Sequence, residues 1–96
     1  MLLPLSEKEA ASLRAFLEAN ADCEAQAENE YVADLYDLDA PLSLDLVFCE
    51  EGVRIDGACL LGYDDEMQGY YIDRPVTVAE VVRRALAEAG ALPGGA

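Results

Sequence analysis

The sequence predicts an α+β domain of order α-α-β-β-β-α, a three-stranded antiparallel meander with helices packed on one face. Three observations carry this expectation. Ser6 and Glu9 have capping-box spacing ahead of a helical apolar stripe. From Leu42 the apolar period drops to two, with Leu42, Leu44, Leu46 and Phe48 alternating with Ser43, Asp45, Val47 and Cys49. Thr77 and Glu80 then repeat the capping-box spacing before a last helical stripe.

Taken in order, the first helix is expected from Glu7 to Ala19, with Leu5 stapled to its first turn. Ala10, Leu13, Phe16, Leu17 and Ala21 form its buried stripe, and Asn20 suits a left-handed C-terminal cap. Asp22 can cap a second helix over Cys23 to Leu38, with Cys23, Ala27, Tyr31, Leu35 and Leu38 on one side. The stretch Tyr31 to Leu38 is also rich in strand-forming residues. Ala40-Pro41 ends that helix.

The strand at Leu42 to Cys49 is expected to turn at Glu51-Gly52, pairing Glu50 with Val53. Phe48 would then face Ile55, and Leu44 would face Cys59, while Arg54 lies outward beside Cys49 and near Asp56. A third strand, Tyr70 to Asp73, places Ile72 opposite Leu61 across the loop Asp64–Gly69 and stops at Pro75. Val78, Val81, Ala85, Leu86 and Ala89 line the last helix, which Gly90 ends. Residues 1–90 are thus expected to form a single compact acidic domain, and 91–96 a flexible C-terminal tail.

Charge is unevenly placed along this frame. The 96 residues carry a net charge of −14. All of it lies between Asp22 and Asp73, where fifteen acids face the single base Arg54. An apolar fraction of 53% argues against disorder, so the acids decorate a folded core. That charge exceeds the magnitude of about 2–8 that keeps a small domain soluble. Clustered like charge opposes compaction, so a use for the field is the natural inference. The bland alternative for residues 22–39 is a solvated amphipathic helix.

Several chemistries are disfavoured. The chain has no histidine, which removes the commonest general base and every Ser-His or Cys-His pair. Cys23, Cys49 and Cys59 form no CxxC and no even-numbered disulfide framework, and are expected to be reduced, buried thiols. Asp37, Asp39 and Asp45 have EF-hand spacing, but Leu42 replaces the required glycine and Phe48 the bidentate glutamate. Asp64-Asp65-Glu66 reads as a solvated loop rather than a metal site. Ser43 sits in a strand pattern and follows Leu42, unlike the pantetheine-bearing serine of an acyl carrier protein. No catalytic, cofactor or metal residue is therefore expected, and the protein is read as non-enzymatic. Direct nucleic-acid binding needs clustered Lys and Arg, whereas only Arg83-Arg84 are adjacent, with Glu80 and Glu88 at helical spacing. No stretch reaches the roughly 18–20 apolar residues of a membrane span, and no signal-like leader is read, so a cytoplasmic protein is expected.

What remains is complementarity to a basic partner. A duplex carries a charge about every 3.4 Å along each strand. Carboxylates four apart on a helix lie about 6 Å apart along its axis. Glu24 and Glu28, and Glu30, Asp34 and Asp37, are so spaced. In charge, size and lack of catalytic groups the chain resembles the small acidic inhibitors, some of them DNA mimics, that phages and mobile elements use against restriction and CRISPR systems. The resemblance covers bulk character only, and no residue role is carried over from it.

The expected partner-binding residues are Glu24, Glu28, Glu30, Asp34, Asp37, Glu50, Glu51, Asp64, Asp65 and Glu66, with Tyr36 and Tyr71 as aromatic contacts. Tyr31, Tyr63 and Tyr70 are expected on core faces. The expected partner is a nucleic-acid-handling protein or nuclease, met by a monomer or homodimer. The alternatives are an immunity protein or antitoxin plugging a toxin enzyme's basic active site, and an acidic accessory adaptor subunit.

Overall fold

Burial alternates with period two along the strand at Leu42–Cys49, and the strands of the chain assemble into one sheet around it. A computed structural model describes residues 1–93. The elements are β1 (Leu2–Pro4), α1 (Glu7–Asn20), β2 (Asp22–Ala27), β3 (Glu30–Leu35), β4 (Leu42–Cys49), β5 (Gly52–Asp64), β6 (Gly69–Pro75) and α2 (Ala79–Glu88). The class is α+β: two helices and a six-stranded antiparallel sheet ordered β1-β5-β4-β3-β2, with β6 also paired to β5. Because β4 occupies one side of β5, β1 and β6 share its other side, at Gly52–Arg54 and at Cys59–Asp64 respectively.

The second helix expected over Cys23 to Leu38 does not form, and that segment is the β2–β3 hairpin. Its apolar residues Cys23, Ala27, Tyr31 and Leu35 are spaced by four, a separation that suits a strand face as well as a helix face. Glu28-Asn29 makes the turn, with Asn29 at φ +63°, a conformation asparagine tolerates. Pairing with β4 then buries Ala33 and Leu35. A helix would also have set Glu24 against Glu28 and Glu30 against Asp34 at i,i+4, each a repulsive pair.

The β4–β5 register differs from the expected one. The turn is Glu50-Glu51, with Cys49 opposite Gly52, Phe48 opposite Val53 and Leu46 opposite Ile55. An extra residue at Asp56 then lets Ile55 and Ala58 both face the core, so Leu44 meets Ala58 while Cys59 meets Ser43 on the opposite face. Gly52, at φ +141°, makes this possible: a Cβ there would collide with the Leu3 carbonyl and the Leu5 amide. In the β5–β6 hairpin, Leu61 lies opposite Ile72, as expected. The strand runs to Pro75 rather than ending before it.

α1 starts with the expected capping box, in which Ser6 Oγ accepts from the Glu9 amide and Glu9 Oε1 from the Ser6 amide, both at 3.1 Å. Asn20 stays helical and Ala21, in extended conformation, is the C-cap. The Thr77–Glu80 box does not form: Val78 is the N-cap of α2 and makes no side-chain cap bond. The buried residues of α2 are Val82 and Leu86, whereas Val78 and Val81 are exposed. Gly90 ends this helix at φ +84°. Ala91 and Leu92, expected in a loose tail, are buried, and the Ala91 carbonyl accepts from Ser12 Oγ at 3.0 Å; residues 94–96 of that tail lie outside the described residues.

One cluster unites Leu13 and Leu17 of α1, Val82 and Leu86 of α2, and the inward residues of β1, β3, β4 and β5. Among the described residues it buries no polar or charged side chain. Burying apolar area at about 25 cal/mol per Å² makes this face the source of stability.

Candidate functional site

The alternate residues of the same strands project from the other side of the sheet. Residues paired across strands share a face, so each row can be read from the register. One row is Asp22, Asp34, Ser43 and Cys59; the next is Glu24, Val32, Asp45 and Gly57; a third is Glu30, Val47 and Arg54. Of these, Asp22, Glu24, Asp45 and Arg54 are exposed and the others are half-buried. A shallow depression of about 220 Å³ is lined by Gln26, Glu30, Val32, Asp45, Val47 and Asp56. Side chains on this face repeat about every 4.8 Å between strands and about 6.7 Å along one.

The electrostatics of the face are one-sided. Arg54 is its only base, and its Nε and Nη2 donate to both carboxylate oxygens of Asp56 at 2.8 and 3.2 Å. The Arg54 guanidinium thereby holds the Asp56 carboxyl below its usual range, chiefly by hydrogen bonding. Asp22, Glu24, Glu30, Asp34 and Asp45 have no ion pair among the described residues. Asp34 is instead fixed in place, accepting from Ser43 Oγ at 2.6 Å and from Tyr36 Oη at 3.3 Å. Burial, then the Asp34 charge, push the Tyr36 phenol above its ordinary value.

Arg14 and Arg83 are committed elsewhere. Arg14 donates to Tyr31 Oη at 3.0 Å and Asn29 Oδ1 at 3.1 Å, and its guanidinium lies 4.3 Å from the Phe48 ring centre. Arg83 bridges to Glu9 at 2.7 Å rather than to Glu80, its helical neighbour.

Of the expected site residues, Glu24, Glu30 and Asp34 come together on this face. Glu28 sits in the β2–β3 turn, at the same end of the sheet as the Glu50-Glu51 turn, since the Phe48 amide donates to the Asn29 carbonyl. These three make a second acidic patch at the strand ends. Asp37 leaves both groups; it lines a cleft of about 280 Å³ with Phe16, Asn20, Leu38, Asp39 and Glu88. Beside those three carboxylates its only polar side chain is Asn20, and the cleft falls just below the roughly 300 Å³ at which small-molecule sites begin. Asp64, Asp65 and Glu66 cap the far tip of the β5–β6 hairpin, where Asp64 Oδ1 accepts from the Glu66 and Met67 amides.

Three acids of the open face, Asp22, Asp45 and Asp56, were not among the expected site residues. Asp45 and Asp56 do stand at outward positions of the strand pattern, which was the signal available. The tyrosines also depart from expectation. Tyr63 and Tyr70 are 53% and 44% exposed rather than buried. Tyr70 stacks on Tyr36 with ring centres 4.5 Å apart and meets Tyr63 edge-on at 5.1 Å. Tyr71 points the other way, over Gly62, and Tyr31 packs against the core. Cys49, expected to be buried, is exposed, while burial and the nearby Glu18 and Asp22 raise the Cys23 thiol.

No group of three or more His, Cys, Asp or Glu arranged to hold a metal occurs among the described residues. No helix among them is long and apolar enough to cross a membrane. No protein-family model, no curated protein and no solved structure matches the chain.

Proposed function

We propose that the protein is a non-enzymatic inhibitor that occupies the basic nucleic-acid-binding surface of a partner protein in the cytoplasm. The observation that carries this reading is the open sheet face. Five carboxylates without ion pairs stand there on rigid strands, and the one base is consumed by Asp56. Asp22 stands a single step of about 5–7 Å from Asp34 and from Glu24, and Glu30 and Asp45 join at diagonal steps of about 7–8 Å, so a basic channel meets a fixed array of anions in place of phosphates. Opposite fields would speed the encounter and make it salt-sensitive. The Tyr36–Tyr70–Tyr63 cluster beside Asp34 adds the amphipathic aromatics favoured at protein interfaces. In this role the chain would act as a DNA mimic of the anti-restriction or anti-CRISPR type.

The test compares two charge-matched variants in capture from host lysate. Glu24→Lys, Glu30→Lys and Asp45→Lys alter the open face; Glu28→Lys, Glu50→Lys and Glu51→Lys alter the strand-end patch by the same net charge. The first set should abolish capture of nucleic-acid-binding proteins, and the second should leave most of it. Equal loss in both would reduce the effect to bulk charge and sink the proposal. Capture of a basic toxin enzyme in place of a nucleic-acid-binding protein would instead indicate immunity.

A further inference from the structure

Three strands stand at the edges of the sheet, β2 on one side and the short β1 beside β6 on the other, and the chemistry of β2 and β6 differs. β2 ends the sheet on one side with Asp22 and Glu24 and no base, so two copies pairing there would set acid against acid. β6 ends it on the other with Tyr70, Tyr71 and Ile72, which are 44%, 51% and 69% exposed. Strand pairing between β4 and β5 ends at Leu42 and Leu60, so residues beyond Leu60 form a two-stranded ribbon with no third strand. Such ribbons are marginal alone in water. Long, apolar, unblocked edges are also the places where sheets add strands.

We propose that β6 is a homodimerisation edge, pairing antiparallel with β6 of a second copy about a two-fold axis at Tyr71. This register is self-complementary. Tyr70 lies opposite Ile72 of the second copy, twice over, as aromatic–β-branched pairs on one face, and the two Tyr71 side chains meet on the other. The bulge at Asp73 limits regular pairing to these residues. Just beyond them lies Arg74, exposed and without an ion pair among the described residues. It falls beside Gln68 of the second copy, next to that copy's Asp64-Asp65-Glu66 tip, so the charges complement. The ribbon thereby becomes the four-stranded centre of one continuous sheet. The carboxylates of both open faces stay clear of the seam, and of the aromatic cluster beside them only Tyr70 is drawn into it.

The experiment is sedimentation velocity of the full chain across a micromolar concentration series at low and high salt. A species of twice the chain mass is expected, favoured by added salt because each copy carries −14. Binding to a basic partner has the opposite salt dependence, so failure of either idea is visible without the other. Ile72→Lys should weaken the dimer about tenfold or more, since both cross-strand pairs are lost. Arg74→Glu should weaken it as well, and Glu24→Lys, on the other edge, should not. Amide exchange at Tyr70 to Ile72 should slow as concentration rises. A single-chain mass under every condition overturns the proposal, as does a dimer that survives Ile72→Lys with an unchanged circular dichroism spectrum.

Discussion

The two faces of the sheet are made from alternate residues of the same strands, yet they follow opposite rules. On the core face Leu42, Leu44, Leu46, Val53 and Ile55 are at most 2% exposed, and no charge is buried with them. On the open face the next residues along are Ser43, Asp45, Val47, Arg54 and Asp56. The core face is close-packed, so its residues answer for the fold. The open face is held rigid by the strands beneath it but gives little back in packing. Charge can therefore accumulate there to a degree no interior would accept. A small domain can carry a strong field when one face supplies nearly all its stability.

The sharpest way to break this comparison is to truncate two neighbours in sequence. Leu44→Ala should destabilise by about 2–5 kcal/mol through lost burial and a residual cavity. Asp45→Ala, one residue on, should change stability by no more than about 0.5 kcal/mol. Paired urea titrations at neutral pH would read both. The glycines of β5 repeat the contrast. An alanine at Gly52 meets backbone on two sides in a left-handed conformation and should prevent folding or cost several kcal/mol. At Gly57 the added Cβ would sit 3.0 Å from a carboxylate oxygen of Asp45, which is free to swing away. Gly57→Ala should therefore be the milder change, and a reversed order would mean the open face is more constrained than its exposure implies.

The same contrast explains which features were legible in the sequence. Local signals held: the Ser6–Glu9 box, the strand at Leu42, the pairing of Leu61 with Ile72, the stop at Gly90. The β2–β3 hairpin was misread because a spacing of four satisfies both periods, and pairing with β4 decides between them. The β4–β5 register was missed because Gly52 is placed by β1, a strand too short to announce itself. For the candidate site, the charged residue types were readable, and of the open-face acids Glu24, Glu30 and Asp34 were expected while Asp22, Asp45 and Asp56 were not. The grouping was not readable, because Glu24, Glu30 and Asp34 share a face only once β2 and β3 are strands. The same folding sends Asp37 to a different part of the surface.

A smaller effect sharpens the electrostatic half of the comparison. Asp22 lies directly opposite Asp34 across β2 and β3. Like charges so placed are destabilising by about 0.2–1 kcal/mol. Asp22→Asn should recover part of that in low salt, with a rise in melting temperature. In the wild-type chain the melting temperature should itself climb with added sodium chloride, as the Debye length falls to about 3 Å at 1 M. The gain from Asp22→Asn should shrink over the same range. A wild-type melting curve indifferent to salt would mean that the acids scarcely feel one another.

The smallest expected effect is at Tyr36, where the open face meets the aromatic cluster. Its phenol is raised above the ordinary value near 10, first by burial and then by the Asp34 charge it donates to. The folded state thus favours the neutral phenol more than the unfolded chain does. Its contribution to stability is complete below the unfolded value and fades as the pH rises through the folded one. Ultraviolet titration of the native protein should show a late-ionising tyrosine that Tyr36→Phe removes. Asp34→Asn should bring that phase down towards the ordinary tyrosine range without abolishing the shift, because burial remains when the charge is gone. If Asp34→Asn leaves the phase where it was, the carboxylate is too well solvated to act on its neighbour, and the field of the open face is weaker than its composition suggests.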